Sequence, residues 1–162
     1  MAIPWFTRVA VASAIAAAAW ISGAAGTWAD PPGNNGTVKV DGVVFDDAPD
    51  NQPHVGCTFQ IDFYGFDAGN LNAAVSFAVH PPTGNDIVIK TDTVPIGEDA
   101  AGGGTDLDAQ RTYNLATALA GFTPQPNQGF HIKLTVHADG AQGNDTKYKV
   151  FWVNGCGSSS PS

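Results

Sequence analysis

The sequence predicts an all-β fold, namely an antiparallel β-sandwich of immunoglobulin-like or Greek-key type closed by one disulfide. Apolar and polar residues alternate with period two in several short runs. Clusters rich in Gly, Pro, Asn and Asp separate these runs, which is typical of sandwiches. The only cysteines, Cys57 and Cys156, lie 99 positions apart near the two ends of this region. An even pair in an exported chain favours a disulfide over free thiols or a metal site, and no CxxC motif is present.

The N-terminal segment has the pattern of a secretory signal peptide. Arg8 precedes an apolar run over residues 9–21, and residues 27–29 fit a small-x-small cleavage site; cleavage after Ala25 is the alternative. A retained membrane anchor is the rival interpretation, but a spanning helix needs about 20 predominantly apolar residues. We therefore expect a secreted or extracellular protein, with cell-surface association as an option. The expected organisation is a signal peptide over 1–29, a linker over 30–36, the sandwich over 37–156 and a flexible tail over 157–162.

The mature chain is strongly acidic. Without Arg8, six Lys and Arg face fifteen Asp and Glu, a net charge of -9. Nucleic acids and anionic membranes reward clustered Lys and Arg, so the charge argues against both as partners. It is compatible with solubility and with cation binding.

The first predicted strands flank a tight turn. Residues 37–40 alternate as a strand, and Asp41-Gly42 is a favoured two-residue hairpin turn, since both residue types tolerate positive φ. Residues 43–45 would return as the second strand. Residues 46–54 contain two prolines and predict a loop.

The clearest strand begins at Cys57. Residues 57–63 alternate so that Cys57, Phe59, Ile61 and Phe63 share one face. Thr58, Gln60, Asp62 and Tyr64 share the other. For Asp62 we expect a cross-strand Lys or Arg partner.

Later strands follow the same alternation. Residues 75–80, 87–94, 130–137 and 147–153 each read as a strand. Residues 111–119 are ambiguous between a strand and a helix. We expect a strand to Leu115 and then a helical turn.

Five short sequence motifs, taken in their order along the chain, resemble those of a known protein family. They are DNQPHVGC (50–57), FYGFD (63–67), PPTG (81–84), HADG (137–140) and KVFWVNGC (149–156). Together they resemble a family of uncharacterised exported or cell-surface proteins of actinobacteria, some of which end in a sortase-type wall anchor. The resemblance spans roughly residues 36–156. It implies an exported domain and supplies no activity, and this chain has no LPxTG-like motif.

Acidic loops make Ca²⁺ the ion that the composition favours, since Ca²⁺ binds six to eight oxygens from flexible loops. No EF-hand spacing is present, and solvated turn carboxylates are the alternative interpretation. We expect no other cofactor. The candidate calcium ligands are Asp46, Asp47, Asp50, Glu98, Asp99, Asp106 and Asp108.

Other chemistry finds little support in the sequence. Ser76 is the only serine between the signal and the tail, and no GxSxG motif is present. His131 and His137 share a strand face but would lie about 20 Å apart, too far for one zinc ion. Exposed aromatic rings could form a sugar platform, and the candidates are Tyr64, Tyr148 and Trp152.

We therefore expect a non-enzymatic domain that acts at or near the cell envelope by binding through its end loops. A cell-envelope glycan or protein is the expected partner. The alternatives are an extracellular carboxylate-dependent hydrolase and a purely structural envelope component.

Overall fold

The computed structural model describes residues 36–97, 105–138 and 145–157. The expected signal peptide, nearly all of the linker and most of the tail lie outside these residues, as do Glu98 and Asp99. No helix in the described ranges is long and apolar enough to cross a membrane. In chain order the elements are β1 (Thr37–Gly42), β2 (His54–Gly56), β3 (Thr58–Tyr64), β4 (Asn72–Val79), β5 (Ile87–Pro95), β6 (Leu107–Asn114), α1 (Ala116–Leu119), β7 (Phe130–Ala138) and β8 (Thr146–Asn154).

The strands form two sheets that pack together, so the prediction of an antiparallel-rich β-sandwich is confirmed. The smaller sheet has the order β1-β3-β6, and both of its pairings are antiparallel. The larger sheet has the order β2-β8-β7-β4-β5. Only the short strand β2 runs parallel to its neighbour, β8, within the described sheets.

The core lies between the sheets and is built by the period-two alternation. Phe59 of the smaller sheet is fully buried and contacts two rings of the larger sheet. Its ring centre lies 5.7 Å from that of Phe77 and 5.2 Å from that of Phe151, both in edge-on geometry. Tyr113 of β6 completes the cluster at 4.7 Å from Phe77. These edge-to-face contacts fix how the two inner faces interdigitate.

The predicted disulfide is confirmed. Cys57 and Cys156 are bonded, and their Cα atoms lie 4.9 Å apart. Cys57 lies where the chain passes from β2 of the larger sheet to β3 of the smaller sheet, and Cys156 follows β8, so the bond ties this crossing point to the end of β8.

The predicted hairpin at Asp41-Gly42 is wrong. Strand β1 continues through both residues, which pair with Gln60 and Phe59 of β3. The Asp41 carboxylate is buried and accepts hydrogen bonds from Gln52 Nε2 and the Asp46 backbone N–H, both at 2.9 Å. These tertiary bonds hold Asp41 in the extended strand, although its residue type favours turns.

The ambiguous segment forms a strand and then a single helical turn, as the sequence favoured. Strand β6 ends at Asn114, whose side-chain oxygen accepts the Ala116 backbone N–H at 2.9 Å. This local bond ends the strand and begins α1. Leu115 and Leu119 are buried in the core, which anchors the turn.

Candidate functional site

The outer face of the larger sheet gathers all four histidines of the chain. His54 lies on β2, His80 directly follows β4, and His131 and His137 lie on β7, while the residues that alternate with them are buried in the core. We call this surface the histidine face. Its other members are outward residues of β4, β5, β7 and β8, chiefly Ala74, Ser76, Ala78, Thr91, Thr93, Lys133, Thr135, Tyr148, Val150 and Trp152.

At one end of the histidine face, the rings of Trp152, His131 and His80 lie side by side across neighbouring strands; we call them the ring row. The Trp152 and His131 rings stack with centres 4.4 Å apart and planes inclined by 21°. The His80 ring lies on the next strand at 5.2 Å from His131. Asp86 ends the row, with its carboxylate 2.5 Å from His80 Nδ1.

The imidazole rings of His80 and His131 are each held by a hydrogen bond at their own Nδ1 atom. His131 Nδ1 lies 2.6 Å from the Pro81 carbonyl oxygen, which can only accept. His131 Nδ1 therefore carries the proton. His80 Nδ1 donates to Asp86, and this hydrogen bond lowers the pKa of the Asp86 carboxyl. In the neutral form of each ring, Nε2 then bears a lone pair.

A hydroxyl-lined depression lies farther along the histidine face. It has a volume of about 390 Å³, within the common range for ligand sites. The cross-strand row Tyr148, Thr135, Ser76 and Thr91 runs beside and through it. Tyr148 is 60% exposed at one end of this row. The depression is lined by Ala74, Val75, Ser76, Thr91, Asp92, Thr93, Thr135 and His137.

Four hydroxyl groups of the depression remain available to a ligand. Within the described ranges, no hydrogen bond joins the hydroxyls of Ser76, Thr91, Thr93 or Thr135 to another protein group. Asp92 differs, because it accepts hydrogen bonds from Arg111 Nε at 2.9 Å and from the Tyr113 hydroxyl at 3.1 Å. The depression therefore offers hydroxyl groups, while its nearest carboxylate is already occupied.

The opposite side of the sandwich is acidic and covered. We call residues 43–53 the acidic loop. Besides its bonds to β1, two hydrogen bonds hold it against β3 and β6 of the smaller sheet: the Tyr64 hydroxyl donates to the Asp47 carbonyl at 3.2 Å, and Gln110 Nε2 donates to the Asp47 carboxylate at 3.1 Å. Gln60 and Asp62, also on this face, are buried.

Asp62 has an unusual environment. Its side chain is 0% exposed, and one carboxylate oxygen accepts Gln60 Nε2 at 2.9 Å. The other oxygen has no hydrogen-bond partner in the described residues. Burial raises the pKa of Asp62 to about 6, and the nearby negative charge of Asp41 adds to the rise. Asp62 thus takes an amide partner where a cationic one was expected.

The candidate platform residues do not all lie together. Tyr148 and Trp152 lie on the histidine face, as the alternation of β8 requires. The prediction that Tyr64 forms part of an exposed platform is wrong, because Tyr64 is completely buried on the smaller sheet. Burial also raises the pKa of Tyr64 to about 12.

The candidate calcium ligands are spread over two segments. Asp46 and Asp47 accept hydrogen bonds from the Ala48 backbone and from Gln110, while Asp50 is exposed. Asp106 and Asp108 lie at the start of β6, where Asp108 accepts the Phe66 backbone N–H at 2.8 Å. Among the described residues, no three His, Cys, Asp or Glu side chains converge on one point. Calcium binding stays a prediction.

Sequence reasoning missed the ring row. The alternation placed His131 and Trp152 on outward positions, but which rings meet depends on cross-strand register. The β7–β8 register pairs His131 with Trp152, and the backbone N–H of His80 bonds to the His131 carbonyl. A single sequence does not specify that register.

Comparisons with known proteins return nothing: no family model, no curated protein and no solved structure matches this chain. The resemblance to exported actinobacterial proteins therefore stays a prediction. The described part of the chain is a sandwich of two sheets with one disulfide, and the outer face of its larger sheet carries histidine and aromatic side chains.

Proposed function

We propose that this chain is an exported, non-enzymatic domain that binds carbohydrate at or near the cell envelope through its histidine face. The observation that carries the proposal is the row in which exposed Tyr148 stands beside Thr135, Ser76 and Thr91 over a depression of about 390 Å³. The disulfide supports export, since such bonds persist in oxidising compartments.

The chemistry of this row suits a sugar. A sugar ring presents C–H groups on one side and hydroxyl groups at its edge. Tyr148 supplies an apolar ring with a polar tip. Thr135, Ser76 and Thr91 supply hydroxyls that both donate and accept. One ligand could therefore contact the aromatic ring and the hydroxyl groups together.

The proposed site lies on a sheet face, although the sequence favoured the end loops. The aromatic rings of β8 decide the change, because the exposed Tyr148 and the half-buried Trp152 both project outward from this strand. Lys133 lies between them, with its Nζ 5.5 Å from the Tyr148 ring centre. Aromatic and polar side chains spread over neighbouring strands in this way suit an extended glycan strand.

Binding is favoured over hydrolysis because of where the carboxylates lie. A glycosidase needs two carboxyl groups on opposite sides of the scissile bond. Asp62, the carboxylate on the strongest predicted strand, has no exposed surface. Asp92, nearest to the depression, is held by Arg111 and Tyr113.

Sedimentation with insoluble polysaccharides tests the proposal. The full chain is mixed with peptidoglycan, chitin, cellulose or mannan, and the bound fraction is measured after centrifugation. We expect at least one polysaccharide to retain the wild type and Tyr148→Phe, while Tyr148→Ala and Thr135→Val lose most of the binding. Val44→Ala is the matched control, since Val44 is 86% exposed and distant in sequence from the site. Equal retention of wild type and Tyr148→Ala, or retention on none of the four, would contradict the proposal.

A further inference from the structure

We propose that His80 and His131 form a two-imidazole site for a divalent transition-metal ion, with Cu²⁺ bound most tightly. The site lies at the ring-row end of the histidine face. It is separate from the hydroxyl-lined depression, so it does not depend on carbohydrate binding.

The separation of the two rings fits one shared ion. Two imidazoles that bind one ion through nitrogens at about 2.0 Å have ring centres about 4.5 Å apart at the 90° angle of a tetragonal Cu²⁺ ion, and about 5 Å apart at the tetrahedral angle. The His80 and His131 centres are 5.2 Å apart, and the rings are tilted by 54°. Their strands are hydrogen-bonded at this point through the His80 N–H and the His131 carbonyl.

The Nδ1 atoms of His80 and His131, which would not bind the metal, already make the hydrogen bonds that are typical of metal-binding histidines. A metal-binding imidazole nearly always donates its other N–H to a carboxylate or a backbone carbonyl. His80 Nδ1 bonds to the Asp86 carboxylate, and His131 Nδ1 bonds to the Pro81 carbonyl. In the described residues, neither Nε2 takes part in a hydrogen bond. Both lone pairs are therefore held on Nε2 and available.

The surroundings hold the rings while leaving the site open. Trp152 stacks on His131 from the β8 side, which fixes the plane of that ring. The His80 side chain is 29% exposed, so water has access. The Asp86 carboxylate offsets the charge of a bound cation, and Lys133 Nζ, 4.0 Å from Asp86, opposes it. Asp86, Lys133 and the two imidazoles are the charged and titratable groups in contact with one another at this site.

The ligand chemistry selects the kind of metal. Imidazole nitrogens suit Zn²⁺, Ni²⁺ and Cu²⁺, whereas Ca²⁺ prefers oxygen. No third His, Cys, Asp or Glu side chain converges on the pair among the described residues. Water or an outside ligand would fill the remaining positions. For such a site the affinity order rises from Ni²⁺ to Cu²⁺ and falls at Zn²⁺.

Equilibrium dialysis of the full chain against Cu²⁺ tests the site, with electron paramagnetic resonance of the loaded protein as a second measurement. We expect one bound Cu²⁺ ion per chain, and a resonance spectrum that shows two imidazole nitrogens in its equatorial plane. His80→Gln and His131→Gln should each weaken binding at least tenfold, and Asp86→Asn should weaken it by a smaller factor. Binding should also weaken as the pH falls, because the ligands must be neutral. His137→Gln is the matched control on the same face and should bind like the wild type.

Two results would overturn the inference. One is Cu²⁺ affinity that stays within threefold of the wild type in both His80→Gln and His131→Gln. The other is a spectrum with fewer than two imidazole nitrogens at one ion per chain. His131→Gln also removes the stacking contact with Trp152 and could disturb the local structure. His80→Gln leaves that contact in place, so it tests the site without this disturbance.

Discussion

Asp62 is a buried carboxylate that the fold leaves incompletely paired. Gln60 satisfies one of its oxygens, and the other has no partner in the described residues. Because burial raises the pKa of Asp62 to about 6, the carboxyl group is charged at neutral pH in an environment that disfavours the charge. Its ionised form therefore lowers the stability of the folded chain at neutral pH.

The substitution Asp62→Asn should stabilise the protein at neutral pH. A folded-state pKa of about 6 against 3.8 unfolded means that the folded state binds the proton more tightly. The destabilisation is thus complete above about pH 6 and relieved as the pH falls through the folded pKa towards the unfolded one. We expect the substitution to raise the free energy of unfolding by about 1–3 kcal/mol at pH 7.5.

Urea unfolding at pH 7.5 and pH 4 measures this effect. The advantage of the Asp62→Asn variant should shrink at the lower pH, where the wild-type carboxyl is largely protonated when folded. A variant less stable than the wild type at pH 7.5 would show that ionised Asp62 is well compensated.

The covering of Asp62 could not be foreseen from the sequence. The alternation of residues 57–63 correctly placed Asp62 on the face opposite Phe59 and Phe63. A polar position on that face predicts exposure or a cationic partner. The acidic loop instead lies on this face through its bonds to Tyr64 and Gln110, and nothing in the composition of that loop predicts where it packs.

Among the connecting segments, the acidic loop is tied to β1 by side-chain bonds. Asp41 accepts from the Asp46 N–H and from Gln52 Nε2. The Gln52 side-chain oxygen in turn accepts the Gly42 N–H at 3.3 Å, and Asn51 Oδ1 accepts the Val40 N–H at 3.3 Å. These bonds complete the free edge of β1 with the loop's own amide groups.

The variant Asp41→Ala should loosen this loop. It removes the acceptor of two donors, and leaving such donors unpaired costs about 1–3 kcal/mol. We expect faster amide hydrogen exchange at Asp46 and through the acidic loop. Asp50→Ala is the control, because Asp50 is exposed, and it should change stability by less than about 0.5 kcal/mol. Unchanged exchange in Asp41→Ala would show that the loop is held by other contacts.

Element boundaries were predictable where the pattern was long and local. Strands β3, β7 and β8 follow the alternation that predicted them, and the strand-then-turn prediction for residues 111–119 was correct. The prediction failed at Asp41-Gly42, where turn-forming residues lie within a strand. Tertiary hydrogen bonds to Asp41 outweigh the local preference of that dipeptide.

The whole molecule is held by one core and one covalent closure. The disulfide ties Cys57, at the crossing between the two sheets, to Cys156 after β8, across a separation of 99 residues. Crosslinking so long a loop restricts the unfolded chain more than a short crosslink would. The sequence predicted this bond from the expected export of the chain, the cysteine count and the absence of a CxxC motif.

Replacing both cysteines by alanine should lower the free energy of unfolding by about 2–5 kcal/mol. Thermal unfolding followed by circular dichroism measures the change, and the wild type in reducing agent should approach the variant. The sandwich should still form, because its core extends well beyond the disulfide. A midpoint of unfolding that is equal in variant and oxidised wild type would contradict this prediction.

The molecule is polarised between its two outer faces. The histidine face carries the four imidazoles and the exposed Tyr148, while the opposite side carries the acidic loop. The sequence predicted two sheets with polar outer faces. It could not predict this segregation, because the four histidines lie on or beside β2, β4 and β7, whose order in the sheet is not sequential.

Nuclear magnetic resonance mapping of the ¹⁵N-labelled chain during titration with soluble fragments of the retained polysaccharide tests the binding face most directly. We expect shift changes concentrated on outward residues around the depression, at Ser76, Thr91, Thr135 and Tyr148, with the acidic loop unaffected. Changes confined to the acidic loop or to the outer face of β1, β3 and β6 would contradict binding on the histidine face.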